Sequence, residues 1–296
     1  MRVEGVVGIV LAGGRSSRMG VSKAGLEWHG STLLYRAAAL LTRAVAGPVV
    51  VVRAPDQVLP PLPAGVAVAV DPVAGLGPMQ GIAAGLGAVA DRAALAFVCS
   101  TDLPFLHPAF VARVLCQLRD TDVDAVVPVA GGYRQPLAAG YRTRLVKLIN
   151  ALLAAGDLRP GMLLAHCAAA MPDDEALLAD PELARLDPEL ASVLNVNTPD
   201  DYAAARRRPA PAITVEWTGR RVVPAATLGA AAAAVGLDLD ERVVTTVNGG
   251  RMTTDPQLPL VAGDQVAFGC PTADAGLRRK RGPRRVVTHP RPTQEM

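Results

Sequence analysis

Residues 9–26 read IVLAGGRSSRMGVSKAGL, and three features in that order decide how the rest of the chain is read. Ile9, Val10 and Leu11 close an apolar run that begins at Val6. Two glycines, Gly13 and Gly14, follow. Arg15, Arg18 and Lys23 then stand among small residues. The apolar run lacks polar alternation, so it reads as a strand buried on both faces. Gly13 and Gly14 have no Cβ, so backbone N–H groups there can wrap closely around phosphate oxygens as an anion nest. A bare, bendable, cationic loop directly after a first strand is a phosphate-binding arrangement.

Working outward, the run is expected to be a buried first strand and not a secretion signal, because it leads straight into the glycine loop, and no segment reaches the roughly 18 apolar residues of a membrane span. The 296 residues have room for one large and one small domain, and with aromatics at 3% the core must be built from Val, Leu, Ile and Ala. Cys99, Cys116, Cys167 and Cys270 form no C-x-x-C pair, and the four histidines lack ligand spacing. Reduced thiols in a cytoplasmic protein are the expectation. Seven Arg or Lys fall in residues 271–296 against Asp274 and Glu295. The positive excess therefore belongs to a basic tail that composition reads as disordered. The folded body is expected to bind neither nucleic acid nor membrane.

Residues 6–11, 49–52, 66–70, 95–99 and 125–129 are expected as strands buried on both faces. Helices are expected over residues 32–45, with Ser31 as N-cap, and over 79–89 and 108–118. Such alternation implies a mostly parallel sheet with helices on both faces. A strand over 137–141, a helix over 143–153 and helical fragments within 171–190 follow. Thr198 then caps a last helix, with Pro199 at its first position. The division expected is a large domain over 1–207, a linker over 208–211, a small domain over 212–270 and the tail. The small domain reads strand, strand, helix, strand, strand. Asn248-Gly249 marks a tight turn, because both central residues of a type I′ turn need φ > 0.

Sheets of the first kind bind ligands beyond the carboxyl ends of their strands, where this loop lies. The loop is not a dinucleotide fingerprint, since Gly14 and Arg15 break G-x-G-x-x-G. Neither is it a Walker loop, since five residues separate Gly14 from Gly20 and Val21 follows. It reads L-A-G-G-x-x-x-R-M-G-x-x-K from Leu11 to Lys23, which resembles the signature of sugar-phosphate and cofactor nucleotidyltransferases. Three more stretches agree in order: VDPVAGLGPMQGIAAGL with Asp71, Gly77 and Gly81; VCSTDLPFL with Asp102; LNVNTPDDY with Asn195 and Asn197. Together they resemble the molybdenum cofactor guanylyltransferases, the MobA-like nucleotidyltransferases, over about residues 6–202. The family often places Asn after the second strand, where this chain has Arg53-Ala54-Pro55-Asp56, and a small residue where it has Gln80.

The resemblance implies an α/β fold with a doubly wound, mostly parallel, Rossmann-like sheet. It implies transfer of GMP from GTP to the terminal phosphate of molybdopterin, with release of pyrophosphate. It further implies that the Leu11, Ala12, Gly13 and Gly14 backbone, Lys23, Asp71, Gly77 and Gly81 hold GTP, and that Asp102 holds Mg²⁺. Arg18, Lys23 and Asp102 become the catalytic candidates. Asn195, Asn197 and Arg134 become candidates for the pterin side, although the asparagines fit capping of the last helix equally well and Arg134 fits a turn. Asp71 and Asp102 alone would each fit a helix N-cap, and a shared place at adjacent strand tips is what singles them out. The partners implied are GTP and molybdopterin, with cofactor-biosynthesis proteins or recipient apo-enzymes beyond them. A cytidylyltransferase acting on the same pterin, or an idle scaffold in cofactor assembly, is the alternative, because the loop reads triphosphate and not base.

The chemistry is self-consistent. A phosphate nucleophile is already anionic at pH 7, so no general base is needed, and cancelling repulsion between phosphates is the task. Residues 213–268 resemble the ubiquitin-like β-grasp sulfur carriers. Those act through a free terminal Gly-Gly, whereas Gly249-Gly250 here is internal to a hairpin, so a docking module is expected.

Overall fold

The structure is a computed structural model and describes residues 2–13, 22–73, 76–240, 243–250 and 252–269. Its centre is β1 (Val6–Leu11), whose six residues are all buried. Alternate side chains face opposite layers. Val6 and Val10 pack with Leu34, Ala38 and Leu41 of α1 (Leu33–Ala44), while Val7, Ile9 and Leu11 pack with Met79, Ile82 and Leu86 of α2 (Pro78–Val89). One strand thus divides the core into two layers, which is why its sequence is apolar without alternation.

Around it lie β2 (Val49–Arg53), β3 (Ala67–Val70) and β4 (Leu95–Ser100), all parallel in the order β3-β2-β1-β4. Helix α3 (Pro108–Arg119) joins α1 on one face. Three strands extend the sheet past β4: β5 (Ala125–Val126), β6 (Ala138–Arg142) and β7 (Ala169–Ala170), in the order β4-β6-β5-β7. Strand β6 is antiparallel to both of its neighbours. Helix α4 (Val146–Ala154) covers the second face with α2. The sheet is mostly parallel and doubly wound, as expected.

Three expectations shift. Strand β3 is not buried on both faces: it is the sheet edge, and Val68 and Val70 are 48% and 45% exposed. The strand expected over 125–129 stops at Val126 in the main sheet. Pro128 has no N–H to continue the ladder, and Val129 pairs instead with Arg134 in a small separate hairpin. Helix α1 is capped by Thr32, which accepts from the Tyr35 amide at 3.1 Å, and not by Ser31. Ser31 is drawn into a ribbon with Trp28, closed by a turn in which His29 and Gly30 both have positive φ.

Helix α5 (Pro199–Arg206) begins at Thr198 and Pro199 as expected, and Asp201 completes a reciprocal capping box. Beyond it, β8 (Ala212–Glu216), β9 (Arg220–Pro224), α6 (Leu228–Ala234), β10 (Val244–Val247) and β11 (Gln265–Gly269) form a second unit. Its four-stranded mixed sheet has the order β9-β8-β11-β10, with β8 and β11 parallel at the centre. Asn248 and Gly249 have φ of 54° and 65°, as a type I′ turn requires. Contacts to the first unit converge on α1 and the start of α3. The Arg43 guanidinium donates to Asp264 at 2.5 Å and to the Pro259 carbonyl at 2.6 Å. His107 receives the Ala109 amide on Nδ1 at 3.0 Å, so its Nε2–H donates to the Ala262 carbonyl at 3.0 Å.

Helix α2 lies close on β1 because Gly81 and Gly85 face it. A Cβ at Gly85 would stand 2.5 Å from Ile9 Cγ2 and 3.2 Å from Val52 Cγ2, both in the packed core. Gly85→Ala is therefore expected to destabilise the fold by about 1–3 kcal/mol through overpacking, read as a lower urea midpoint with an unchanged m-value.

Candidate active site

Strands β1 and β4 run side by side with Leu11 opposite Ser100, and their connections leave towards opposite edges of the sheet. The crevice beyond their carboxyl ends is the topological switch point where such sheets bind ligands. Three segments far apart in sequence meet there. Lys23 rides on a single 3₁₀ turn, Lys23–Gly25, anchored by the buried Ala24. Its ammonium donates to Asp102 Oδ2 at 3.0 Å and to Asn197 Oδ1 at 2.9 Å. The Lys23 and Asp102 side chains are only 17% and 16% exposed, so solvent screens the pair weakly.

Each partner is itself held. The Ser100 hydroxyl donates to Asp102 Oδ1, fixing the carboxylate, and the Val196 amide donates to the Asp102 carbonyl at 2.9 Å. One Asp201 oxygen accepts the amides of Asn197 and Thr198 at 3.0 and 2.9 Å. Those bonds, the Asn197 amide foremost, hold the Asp201 carboxyl below its usual range.

The glycine loop leaves β1 along β2. The Ala12 and Gly13 amides both donate to the Val52 carbonyl, at 2.8 and 3.3 Å. Neither amide is therefore free for a phosphate here; Gly14 and Arg18 fall outside the described residues. A Cβ on Gly13 would meet the Ala54 amide nitrogen at 3.2 Å, a close approach that favours glycine. Gln57, which sequence reading missed, donates from Nε2 to the Ala12 carbonyl at 2.8 Å and accepts the Ala54 amide at 3.1 Å. It thus fixes the start of the loop from the segment after β2, where the family's asparagine is absent. Gly77 precedes α2 with φ 78°, a backbone state suited to glycine, with Pro78 at the first helical position. Gly81 faces Leu11, 3.4 Å from its methyl groups to an added Cβ.

Asp71 follows β3, its amide donating to the Arg53 carbonyl at 2.8 Å and its Oδ1 accepting from Val73 at 3.1 Å. Partial burial raises its pKa. Asp71 and Asp102 are not at adjacent strand tips, because β2 and β1 lie between β3 and β4. At about 4.8 Å per strand, the two tips are about 14 Å apart. The order of strands in space, which sequence order conceals, separates them.

The three pterin-side candidates also separate. Asn197 belongs to the Lys23 cluster. Asn195, whose Nδ2 donates to the Val193 carbonyl at 3.1 Å, lines a cavity of about 540 Å³ together with Arg134 from the small hairpin. Among the described residues, no group of three or more His, Cys, Asp or Glu could hold a metal, and no helix is long and apolar enough to cross a membrane.

Comparison with known proteins decides the family. The MobA-like NTP transferase domain matches residues 8–171. The chain belongs to the MobA-like NTP transferases. It is 35% identical over 204 residues to a probable molybdenum cofactor guanylyltransferase of Mycobacterium ulcerans (strain Agy99), covering 68% of this chain and 94% of that relative. A protein of the same description from Mycobacterium bovis (strain BCG / Pasteur 1173P2) is 39% identical over 162 residues, covering 54% of this chain and 79% of the relative. The crystal structure of molybdopterin-guanine dinucleotide biosynthesis protein A from Archaeoglobus fulgidus shares the fold, with a TM-score of 0.54 at 22% identity over 68% of this chain and 96% of that one. This MobA-like chain is a nucleotidyltransferase enzyme.

The desolvated Asp71 gives a pH test. With its folded pKa raised, its contribution to stability is fully present below the unfolded pKa and is lost as pH rises through the folded pKa. At pH 7 the ionised group is a net cost to the ligand-free fold. Asp71→Asn keeps an Oδ1 acceptor without the charge. It is expected to raise the melting temperature at pH 7, with the difference from wild type vanishing below about pH 3.9. Calorimetry across that range checks it.

Proposed function

We propose that this MobA-like chain transfers GMP from GTP to the terminal phosphate of molybdopterin, releasing pyrophosphate, in a Mg²⁺-dependent reaction. The observation that carries the reading is the Lys23 ammonium held between Asp102 and Asn197 at the β1/β4 crevice, in a chain whose relatives are described as probable molybdenum cofactor guanylyltransferases.

The acceptor is a phosphate oxygen, already ionised at neutral pH, so the site has to bring two anions together and does not have to remove a proton. Lys23 is the group for this. Two unit charges about 4 Å apart attract by about 4 kcal/mol at an effective dielectric of 20, against about tenfold in rate per 1.4 kcal/mol. Before substrate binds, Asp102 and Asn197 keep the Lys23 charge paired inside the crevice. An arriving triphosphate offers more negative charge, and Lys23 exchanges partners towards it.

That exchange leaves two hard oxygen donors, Asp102 Oδ2 and Asn197 Oδ1, aimed at the place a cation held. Such a donor set fits Mg²⁺, which takes one or two carboxylates and otherwise water and phosphate. When bound, Mg²⁺ supplies charge neutralisation on the phosphates and on the departing pyrophosphate. Ser100 keeps the carboxylate from rotating away as its cation partner changes. Arg18 and the Gly14 amide add positive charge at the triphosphate. The Leu11, Ala12 and Gly13 backbone, Gly77 and Gly81 form the wall against the nucleoside. Asp71, about three strands from Asp102, contacts ribose and not the metal. Asn195 and Arg134, on their shared cavity, hold the pterin substrate.

The second unit is proposed to be a β-grasp domain, supported by its mixed sheet with two parallel central strands. It acts as a docking module for cofactor-biosynthesis proteins or recipient apo-enzymes in the cytoplasm.

Pyrophosphate release with molybdopterin as acceptor tests the function. GTP is expected to be turned over and CTP at a small fraction of that rate; a preference for CTP overturns the base assignment. Lys23→Met is expected to lower kcat by at least about a hundredfold. Asp102→Asn is expected to abolish most Mg²⁺-dependent turnover, with a lowered melting temperature from the loss of the Lys23 pair but a folded circular dichroism spectrum close to wild type. Near-normal activity of Asp102→Asn removes it from the metal site.

A further inference from the structure

At the junction between the two units lies a half-open cavity of about 410 Å³. Its walls come from the ribbon before α1, the loop leading into α3, the segment that carries Asp187 and Glu189, the connector at Pro209 and Pro211, and the second unit at Ala226 and Ala262. It is distinct from the cavity shared by Asn195 and Arg134, and none of Lys23, Asp102 or Asn197 lines it.

Arg36 lies in its wall with only 5% of its surface exposed. Its Nε donates to the Pro104 carbonyl at 2.5 Å and its Nη1 to the Ala226 carbonyl at 3.3 Å. Both partners are neutral. The carboxylates near it are committed elsewhere. Asp264 takes Arg43 at 2.5 Å, with Asn248 and the Val261 amide at 2.8 Å. Asp187, on the cavity wall, accepts the Ala191 and Ser192 amides and the Ser192 hydroxyl at 2.5–3.0 Å. Glu189 faces Arg208 at 3.4 Å. Of the wall's two histidines, His107 is bonded on both ring nitrogens and held neutral by burial, and burial also lowers the pKa of His29.

Arg36 is therefore a buried guanidinium with no carboxylate ion partner among the described residues. Taking such a charge out of water is costly unless an opposite charge repays it. Burial and the neighbouring Arg43 lower its pKa, and the Asp264 charge partly offsets them, leaving it at about 10, so it stays cationic at neutral pH. Beside these polar groups the wall carries two aromatic rings and the apolar Leu186, Pro209, Pro211 and Val261. Trp28 and Phe105 meet edge to face with ring centroids 5.5 Å apart, and the Arg208 guanidinium covers Phe105 at 5.1 Å. In this half-open space with aromatic walls, Arg208 already faces Glu189, and Arg36 is the cation without a carboxylate partner among the described residues, the orienting charge a small-molecule site needs.

We propose that this inter-unit cavity binds a small organic anion, a carboxylate or phosphate monoester on a flat apolar body, whose charge pairs with Arg36. The ligand bridges both units, since the wall belongs to both. The site stands apart from the nucleotide crevice, so its test reads binding and not turnover.

Isothermal titration calorimetry on the full chain uses benzoate and phenyl phosphate as probes, with benzyl alcohol as the uncharged control. Saturable binding of either anion is expected, at least tenfold tighter than benzyl alcohol and undiminished by saturating GTP. The anion that binds more tightly assigns the headgroup. Ala262→Leu, which fills the cavity and leaves the backbone carbonyl for His107, is expected to weaken the binding at least tenfold, as is Arg36→Gln. Should Arg36→Gln fail to fold, Ala262→Leu decides. Absence of saturable binding by both anions, equal binding of benzyl alcohol, displacement by GTP, or binding that survives Ala262→Leu overturns the proposal.

Discussion

One ammonium between two oxygens organises the first unit. Lys23 comes from the loop after β1, Asp102 from the tip of β4 and Asn197 from the start of the last helix of the body, and the Lys23 ammonium bonds both other side chains. The backbone supports the same junction, because the Val196 amide bonds the Asp102 carbonyl. A largely buried cation must be paired, so the resting site keeps its charge balanced and ready for exchange. On the proposed function, a triphosphate replaces Asp102 and Asn197 as the partner of Lys23 and frees oxygens suited to a divalent ion, so that resting pairing and substrate binding become two settings of one electrostatic balance.

The sequence showed most of the body because β1 is buried on both faces and its neighbours are parallel, which leaves plain apolar runs between amphipathic helices. It failed where tertiary position overrides local pattern. The run ending at Val70 looks as apolar as Val49 to Val52, yet it lies at the sheet edge; residue type does not reveal which parallel strand lacks a neighbour. The same blindness to spatial order placed Asp71 beside Asp102. At the site, Lys23 and Asp102 were legible from their motifs. Gln57 was not, since it acts through its reach to the Ala12 carbonyl and lies in a proline-punctuated loop with no periodicity. Asp201 could have been found: Thr198 and Asp201 have the spacing of a capping box, with Asp in place of the commoner Glu.

The second unit was legible as elements but not as a position. Residues 208–211 read as a linker, and a linker by composition carries no information on what its two ends touch. The structure shows α1 serving two masters. Leu34, Ala37, Ala38 and Leu41 pack towards the sheet, while Tyr35, Arg36 and Arg43 reach Asp255, the Ala226 carbonyl, and Asp264 with the Pro259 carbonyl of the second unit. Gly263 closes the contact from the other side: with φ 82°, a Cβ there would also stand 2.4 Å from Leu186 Cδ2.

An interface made of buried charged side chains bonded to carbonyls behaves differently from an apolar one. Opening it leaves each carbonyl and guanidinium to regain water, and partial opening strands some of them, so the cost falls on every intermediate geometry. That disfavours a second unit swinging on its connector and favours one held in a fixed pose. The helix that fixes the pose begins ten residues after Lys23, and its Thr32 cap lies in the ribbon that follows the Lys23 turn. Lys23 and the docking of the second unit are therefore set by one short continuous segment. This is a physical reason for the two units to work as one body, with the cavity between them as part of the enzyme and not a gap left by a tether.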